Sequence, residues 1–177
     1  QQKGRFRFVS KFPNVDSLLN IEHNDHTRIR FSLNTDSIIS QYEKATPNLT
    51  ERLTAARKVH LANYPLGFLI APIIIYRGWQ ADYDQLLDSL AKQLDTDVPN
   101  LTFELITHRY TTRAKNNILE RDPNTTLPMQ DEERRYKYGQ FGYGKYVYPK
   151  EVYDEVRSFF ESRISHYFPN AVVDYLV

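Results

Sequence analysis

The segment from Arg134 to Lys150 combines the residue types that contact nucleic acids. Its sequence, RRYKYGQFGYGKYVYPK, contains five cations, six aromatic residues and three glycines, and no acidic residue. Basic side chains pair with phosphate groups, and aromatic rings stack on bases or wedge between them. Glycine lets the backbone turn tightly or approach a partner closely. This composition indicates a DNA-binding element.

The spacing within this segment predicts a β-hairpin. Tyr136 and Tyr138, and Tyr146 after the glycines, alternate with other residues at the period of two that is typical of paired strands. The glycines lie between the two arms, where a hairpin turns, and would place Phe141 and Tyr143 near the tip. A simpler interpretation stays open, in which the rings pack on the domain and the lysines are only solvated.

A second group of residues lies at the carboxyl ends of predicted strands. It consists of Lys11, Ser32, Ala71 and His108. In β/α folds ligands bind at this edge, because the loops that follow the strands converge there. Each residue alone is more simply an ordinary strand end, so only the shared position indicates a ligand site.

Cysteine is absent from the sequence. The chain itself therefore supplies no disulfide, thiolate nucleophile or cysteine ligand for an iron–sulfur cluster. His23, Asp25 and His26 carry groups that can bind a metal ion. The polar stretch that contains them more simply links two strands, so no metal site is predicted.

Four segments have the composition of β-strands. Residues 5–11 and 27–33 alternate basic or polar with apolar side chains, which indicates strands with one buried face. Residues 66–70 and 101–107 are more continuously apolar, as in strands of a parallel sheet.

Helical periods separate these strands. Asn48 and Glu51 have the spacing of a capping box ahead of a helix that ends near Asn63. A second helix has an apolar stripe at positions 83, 86, 87, 90, 91 and 94. The alternation predicts an α/β fold with parallel strands, either a doubly wound sheet or a segment of a partial β/α (TIM-like) barrel.

The pattern changes after residue 122, where prolines interrupt the helical periods. The hairpin follows, then a helix over about 149–167 and a strand over 172–177. We therefore predict two units: 1–122 as the C-terminal half of a partial β/α barrel, and 123–177 as a DNA-recognition hairpin with a closing helix and strand.

The overall composition restricts the possible partners. A net charge of +1 gives no general attraction to nucleic acid or membrane, so any such attraction must be local. The longest apolar run, residues 66–75, is too short to span a bilayer, and a cytoplasmic location is expected. Because the chain starts at Gln1 and shows no apolar leader, we expect it to be a piece of a longer polypeptide.

Five stretches, taken in order, resemble one known family. They are RFRFVSKFPNVDSLLNIEHNDHTRIRFSLN, TERLTAARKVHLANYPLGFLIAPI, LTFELITHRYT, RRYKYGQFGYGKYVY and FFESRISHYFPNAVVDYLV. With their spacing, they are similar to spore photoproduct lyase over essentially all 177 residues.

The resemblance implies a fold, a substrate and a chemistry. The family has an incomplete β/α barrel of the radical S-adenosyl-L-methionine type and a β-hairpin that enters damaged double-stranded DNA. A 4Fe-4S cluster bound through CxxxCxxC cleaves S-adenosylmethionine, and the resulting deoxyadenosyl radical takes hydrogen from C6 of 5-thyminyl-5,6-dihydrothymine. The methylene bridge of the lesion then breaks, a cysteine returns hydrogen, and the cofactor is re-formed.

The resemblance also implies site residues. Lys11 and Ser32 match family positions that contact S-adenosylmethionine, and Ala71 matches one that contacts it through the backbone. The hairpin matches the DNA-contacting element, and its expected contacts are Lys137, Gln140, Phe141, Tyr143 and Lys145.

Two departures from the family qualify this assignment. Gln140 and Phe141 stand where the family usually has an Arg-Tyr pair, so a cation and a phenol hydroxyl are lost while a ring is kept. The cluster-binding cysteines, the hydrogen-donating cysteine and its partner tyrosines belong to the family's N-terminal half and are absent here. No catalytic residue is assigned, and this chain alone is expected to be inactive.

The leading interpretation is the C-terminal part of a monomeric spore photoproduct lyase in the spore core. An alternative is a damaged-DNA-binding module without catalysis, which the presence of a cysteine motif upstream would exclude. A third is an ordinary barrel enzyme for a small phosphorylated or sugar substrate, but the sequence shows no paired-carboxylate or nucleophile arrangement that would support it.

Overall fold

The computed structural model describes residues 4–94, 97–139 and 142–177, in which strands and helices alternate. The described strands are β1 (Phe6–Ser10), β2 (Thr27–Leu33), β3 (Leu66–Ile73), β4 (Thr102–Thr107), β5 (Arg135–Tyr138), β6 (Gly144–Val147) and β7 (Val172–Leu176). The α-helices are α1 (Asp36–Tyr42), α2 (Leu49–Leu61), α3 (Trp79–Gln93), α4 (Thr112–Arg121) and α5 (Lys150–Tyr167).

Five strands form one parallel sheet in the order β1-β2-β3-β4-β7. Each strand after β1 is added at the same edge of the sheet, next to the preceding sheet strand. Strands β5 and β6 pair separately as an antiparallel hairpin. A doubly wound sheet reverses its strand order at a switch point, whereas this order runs in one direction. The fold is therefore α/β with the winding of consecutive β/α units, followed by the predicted hairpin, helix and strand.

One face of the sheet is covered by the helices and forms the core. Register pairs Phe31 with Phe68 and Phe68 with Phe103, so three buried rings cross the sheet side by side. Tyr83 of α3 and Phe160 of α5 lie against each other above it, with ring centroids 5.3 Å apart. All five belong to one hydrophobic cluster, which joins the sheet to its helical layer.

The predictions for α2 and α3 are confirmed. The side chain of Asn48 accepts a hydrogen bond from the Glu51 N–H at 2.9 Å, and the Glu51 carboxylate accepts one from the Asn48 N–H at 2.8 Å. In α3 the buried residues follow the predicted stripe and are Tyr83, Leu86, Leu87 and Leu90, together with Trp79.

Strand β3 is longer than the sequence predicts. The apolar run was expected to stop at residue 70, ahead of Ala71 and Pro72, but the strand continues to Ile73. Its pairing with β4 becomes irregular between Ile70 and Ile73. That irregularity accommodates Pro72, which has no N–H to donate to a neighbouring strand.

The sequence analysis did not identify α1 and α4. Helix α4 has no buried residue, and its three apolar residues, Ala114, Ile118 and Leu119, are too few to establish a helical period from the sequence. Helix α1 contains only seven residues, with Ile38 and Ile39 buried, which is too short for a clear period.

The closing helix and strand are part of the same structure as the preceding strands. Strand β7 pairs with β4, and Val156, Phe160 and Ile164 of α5 lie in the common core. The proposed division at residue 122 stays a prediction. Among the described residues, no helix combines the length and apolar character needed to cross a membrane.

We predict that Phe160→Ala destabilises the fold by about 3–5 kcal/mol, because it removes a fully buried ring and leaves a cavity between α3 and α5. Urea unfolding measures the loss. Phe6→Ala is the matched control, since that ring is 61% exposed and its removal should cost far less. Equal losses for the two variants would contradict the assigned core.

Candidate functional site

The three predicted cofactor contacts lie at one edge of the sheet. Lys11 follows the last residue of β1, Ser32 is the next-to-last residue of β2, and Ala71 lies two residues before the end of β3. Since these strands are parallel neighbours, their carboxyl ends meet. Ser32 is buried, whereas Lys11 and Ala71 are partly accessible.

A cluster of charged side chains connects two of these positions. The Lys11 ammonium lies 2.8 Å from Oε2 of Glu43, which follows α1, and Nη2 of Arg52 in α2 donates to the same oxygen at 2.7 Å. Nη1 of Arg52 donates to the backbone carbonyl of Ser32 at 3.0 Å. The Lys11–Glu43–Arg52 cluster thus joins the ends of β1 and β2.

The sequence analysis missed Glu43 and Arg52. Arg52 lies on the apolar stripe of α2 between Leu49, Leu53 and Ala56, and it is fully buried. A charged residue at a core-facing helical position was the available signal, because burying a charge is costly unless it is paired. Glu43 has no comparable signal in the sequence.

The face of the sheet opposite the helices is polar. Arg30 pairs with Glu104, which also accepts a hydrogen bond from the Tyr175 hydroxyl at 2.7 Å. Burial alone would raise the pKa of Glu104, but the hydrogen bonds from Tyr175 and Arg30 outweigh it and lower that pKa. Gly67 leaves room for this arrangement, since an added Cβ would lie 2.8 Å from Thr102 Oγ1 and 3.0 Å from Arg30 Cγ.

His108, the fourth strand-end residue, is engaged internally. Nη1 of Arg134 donates to the His108 carbonyl at 2.9 Å, and Nη2 donates to the Pro128 carbonyl at 3.0 Å. The Arg134 guanidinium also lies 3.6 Å from the ring centre of Tyr148. Burial, together with this guanidinium, lowers the pKa of His108 to about 4. His108 therefore helps to anchor the base of the hairpin to the end of β4.

Two of the five cations in the hairpin segment have contacts within the chain. Arg134 is used in the anchor, and Lys150 pairs with Asp154 one turn along α5. His108 is distant from Arg134 in the chain, so the sequence did not reveal the first contact, whereas the second has the i, i+4 spacing of a helical ion pair. Within the described part of the chain, Arg135, Lys137 and Lys145 make no ion pair.

The hairpin has one cationic face and one aromatic face. Lys137 lies directly opposite Lys145, and Tyr136 lies directly opposite Tyr146. Since successive strand residues point to opposite faces, the lysines share one face with Arg135 and the tyrosines share the other. Like charges directly opposite each other are destabilising by themselves, which makes this face suited to an external polyanion.

The aromatic face is a continuous series of rings. Tyr110 stacks on Tyr146 with centroids 5.3 Å apart, and edge-to-face contacts of 5.1 and 5.6 Å lead on to Tyr136 and Tyr138. An added Cβ at Gly144 would lie 2.1 Å from Cζ of Tyr136, so a larger residue there would displace the Tyr136 ring. The series fixes the base of the hairpin and ends at Tyr138, which is 74% exposed.

The described flanks of the turn are held together and exposed. The Gly139 N–H donates to the Tyr143 carbonyl at 2.9 Å, and Gly142 has a left-handed φ of +78°. Tyr143 is exposed. Gln140 and Phe141, two of the predicted DNA contacts, lie outside the described residues. The simpler interpretation, with all rings packed on the domain, does not fit the exposure of Tyr138 and Tyr143.

His23 has a packing role. Its ring stacks on Tyr64 with centroids 3.8 Å apart, and its Nε2 lies 3.2 Å from the Ala62 carbonyl oxygen. Residues 4–94, 97–139 and 142–177 contain no group of three or more His, Cys, Asp or Glu placed to hold a metal ion.

Sequence comparison identifies closely similar proteins. A family model described as spore photoproduct lyase matches residues 1–177. The spore photoproduct lyase of Bacillus subtilis is 47% identical over 173 residues, which are 97% of this chain and 51% of the relative. That of Clostridium acetobutylicum is 44% identical over 173 residues, 98% of this chain and 51% of the relative. The chain therefore spans about half the length of these curated relatives.

Solved structures of spore photoproduct lyases have a fold closely similar to that of this chain. A mutant spore photoproduct lyase with bound AdoMet and dinucleoside spore photoproduct superimposes with a TM-score of 0.95 at 44% identity. The match covers all of this chain and 52% of that one. A spore photoproduct lyase complexed with dinucleoside spore photoproduct gives the same TM-score, identity and coverage.

We predict that His108 makes the stability of the protein pH-dependent. Its pKa is about 4 when folded and about 6.5 when unfolded, so between these values only the unfolded chain takes up the proton. The contribution of neutral His108 to the free energy of unfolding is therefore fully present above pH 6.5 and is lost as the pH falls towards 4. Between pH 7 and 5, wild type should lose about 2 kcal/mol more than His108→Asn in urea unfolding. The same pH dependence in both proteins would rule out this role.

Proposed function

The chain belongs to the spore photoproduct lyase family, and from that membership we propose that it forms the C-terminal part of a lyase that repairs 5-thyminyl-5,6-dihydrothymine in double-stranded DNA. The family match over residues 1–177 carries the proposal. The structures of relatives with AdoMet and with the dinucleoside lesion support the cofactor and the substrate class. The proposed location is the cytoplasm of the spore core, where the damaged DNA lies.

Lys11, Ser32 and Ala71 are the residues that we propose to hold S-adenosylmethionine. An ammonium group, a buried polar residue and an accessible backbone segment at one sheet edge fit a ligand that carries a carboxylate and several hydrogen-bonding groups. The cofactor supplies the radical chemistry when bound. This chain binds and orients it.

The ligands of a 4Fe-4S cluster cannot come from this chain, which contains no cysteine. We propose that they belong to the part of the protein corresponding to the half of the relatives that this chain does not span. The chain alone would then have no catalytic residue and no lyase activity.

The hairpin is the proposed DNA-recognition element, with contacts from Lys137, Gln140, Phe141, Tyr143 and Lys145. Its cationic face would follow the phosphates, and the rings near the turn would separate the stacked bases at the lesion. Unstacking one base step costs a few kcal/mol, and one base–aromatic stack returns about 1–3 kcal/mol. A ring at the tip can therefore offset the distortion.

We predict that Lys11→Ala in the full-length protein raises the Kd for S-adenosylmethionine by about ten- to a hundredfold, because a charge-assisted hydrogen bond to a ligand is lost. Isothermal titration measures the change. Lys92→Ala, which removes an exposed lysine of α3, should leave the Kd unaltered. An unaltered Kd for Lys11→Ala would exclude Lys11 from the cofactor site.

We predict that Lys137→Ala combined with Lys145→Ala weakens duplex DNA binding and reduces the slope of log K against log salt by about 2, because two phosphate contacts are lost. Fluorescence anisotropy at several salt concentrations measures both quantities. The control, Lys58→Ala with Lys92→Ala, makes the same change in net charge away from the hairpin and should retain the slope. If the hairpin variant also retained it, the cationic face would not be the DNA contact.

A further inference from the structure

We propose that Glu43 and Arg52 are positioning residues that hold the Lys11 ammonium where S-adenosylmethionine binds. The inference rests on the proposed role of Lys11 and extends it to two residues that contact no ligand themselves. It is carried by the contacts within the Lys11–Glu43–Arg52 cluster.

The cluster has one accessible member. The side chain of Lys11 is 33% exposed, whereas those of Glu43 and Arg52 are 6% and 0% exposed. A ligand from solvent therefore meets the lysine, and the other two charges lie behind it. The ammonium has three donors, so its contact with Glu43 leaves donors for a ligand.

Arg52 is fixed by contacts on every side. Besides Glu43 and the Ser32 carbonyl, its Nε donates to the Pro47 carbonyl at 2.9 Å and its Nη2 to Thr46 Oγ1 at 2.9 Å. A planar guanidinium with this many partners has one possible position. The ion pair with Arg52 fixes the Glu43 carboxylate, and the ion pair with Glu43 in turn fixes the flexible side chain of Lys11.

The use of a single carboxylate oxygen supports a positioning role over a purely stabilising one. Both cations contact Oε2 of Glu43, while Oε1 is buried without a hydrogen-bond partner among the described residues. A carboxylate that served only to neutralise Arg52 would pair most strongly through both oxygens. The Arg52–Glu43 pair is instead monodentate, and the oxygen that accepts from Arg52 also contacts Lys11.

The charges of the cluster favour an anionic ligand. Two cations and one carboxylate leave a net charge of +1, and the accessible side of that charge is Lys11. A ligand carboxylate, such as that of the methionyl group of S-adenosylmethionine, would complete the neutralisation. On this argument Lys11 would contact the carboxylate end of the cofactor.

Positioning and simple electrostatics predict opposite effects of Glu43→Gln. This variant removes a negative charge beside Lys11, so electrostatics alone would tighten the binding of an anionic ligand group. If Glu43 holds the lysine in place, the variant frees a long side chain and weakens binding. The direction of the change in Kd therefore decides between the two.

The test is a double-mutant cycle on the full-length protein, with S-adenosylmethionine as the titrated ligand. Wild type, Lys11→Ala, Glu43→Gln and the double variant are compared by isothermal titration. We expect Glu43→Gln to raise the Kd about tenfold, comparable to the loss of an outer-shell partner in a metal site. In the Lys11→Ala background the same substitution should have no effect, because Glu43 acts through Lys11.

Two further variants keep the test decisive. Glu43→Asp retains the charge but shortens the side chain, and should weaken binding even if Glu43→Gln does not fold. Asp88→Asn, which removes the carboxylate partner of Lys92 on α3, is the matched control and should bind as wild type does. Thermal unfolding of each variant checks that the protein is folded.

The outcomes separate this inference from the proposed function. If Lys11→Ala binds the cofactor as wild type does, Lys11 is not a ligand and both ideas are overturned. If Lys11→Ala weakens binding but Glu43→Gln and Glu43→Asp leave it unchanged or tighter, only the positioning role is overturned. Additive effects in the cycle would likewise show that Glu43 acts independently of Lys11.

Discussion

Parallel pairing of β1, β2 and β3 is the constraint on which the proposed cofactor-binding edge of the sheet depends. The register pairs Phe31 with Phe68, so the apolar residues of both strands face the helices. A slip of one residue would expose this set and bury the alternate residues, including Arg30. Because the core enforces the register, the carboxyl ends of all three strands, and therefore Lys11, Ser32 and Ala71, meet at one edge.

Buried charged side chains lie at the carboxyl edge of the sheet and on the face of the sheet opposite the helices. Arg52 lies in the core and Glu104 on the polar face, and each is paired by several groups from distant segments. Such groups are costly to bury, and replacing an ion pair by apolar residues often costs nothing in stability. We infer that Arg52 is retained for the position that it imposes on Glu43, and through Glu43 on Lys11, rather than for a contribution to folding.

The hairpin combines a fixed base with an open pair of arms. Arg134 binds the base to the end of β4 through His108, and Tyr110 stacks under Tyr146. Beyond these contacts Lys137 is exposed and Lys145 is partly accessible, and neither makes an ion pair within the described part of the chain. The anchored base fixes the orientation of the β5–β6 hairpin. The unpaired cations on its arms remain accessible to a polyanionic partner.

The sequence by itself determined the elements whose signals are local. The capping box of α2, the stripe of α3 and the alternation in β2 depend on residues a few positions apart, so period and residue type were sufficient to predict them. Helix α4 gave no comparable signal because only three of its residues are apolar. The resemblance supplied the family and the proposed site residues. Only the tertiary structure decided which charges are paired between segments that are distant in the chain. Lys11 contacts Glu43, and Arg134 contacts His108, across segments that are far apart in the chain. Such contacts follow from the packing of those segments against each other, which patterns over a few neighbouring residues do not reveal.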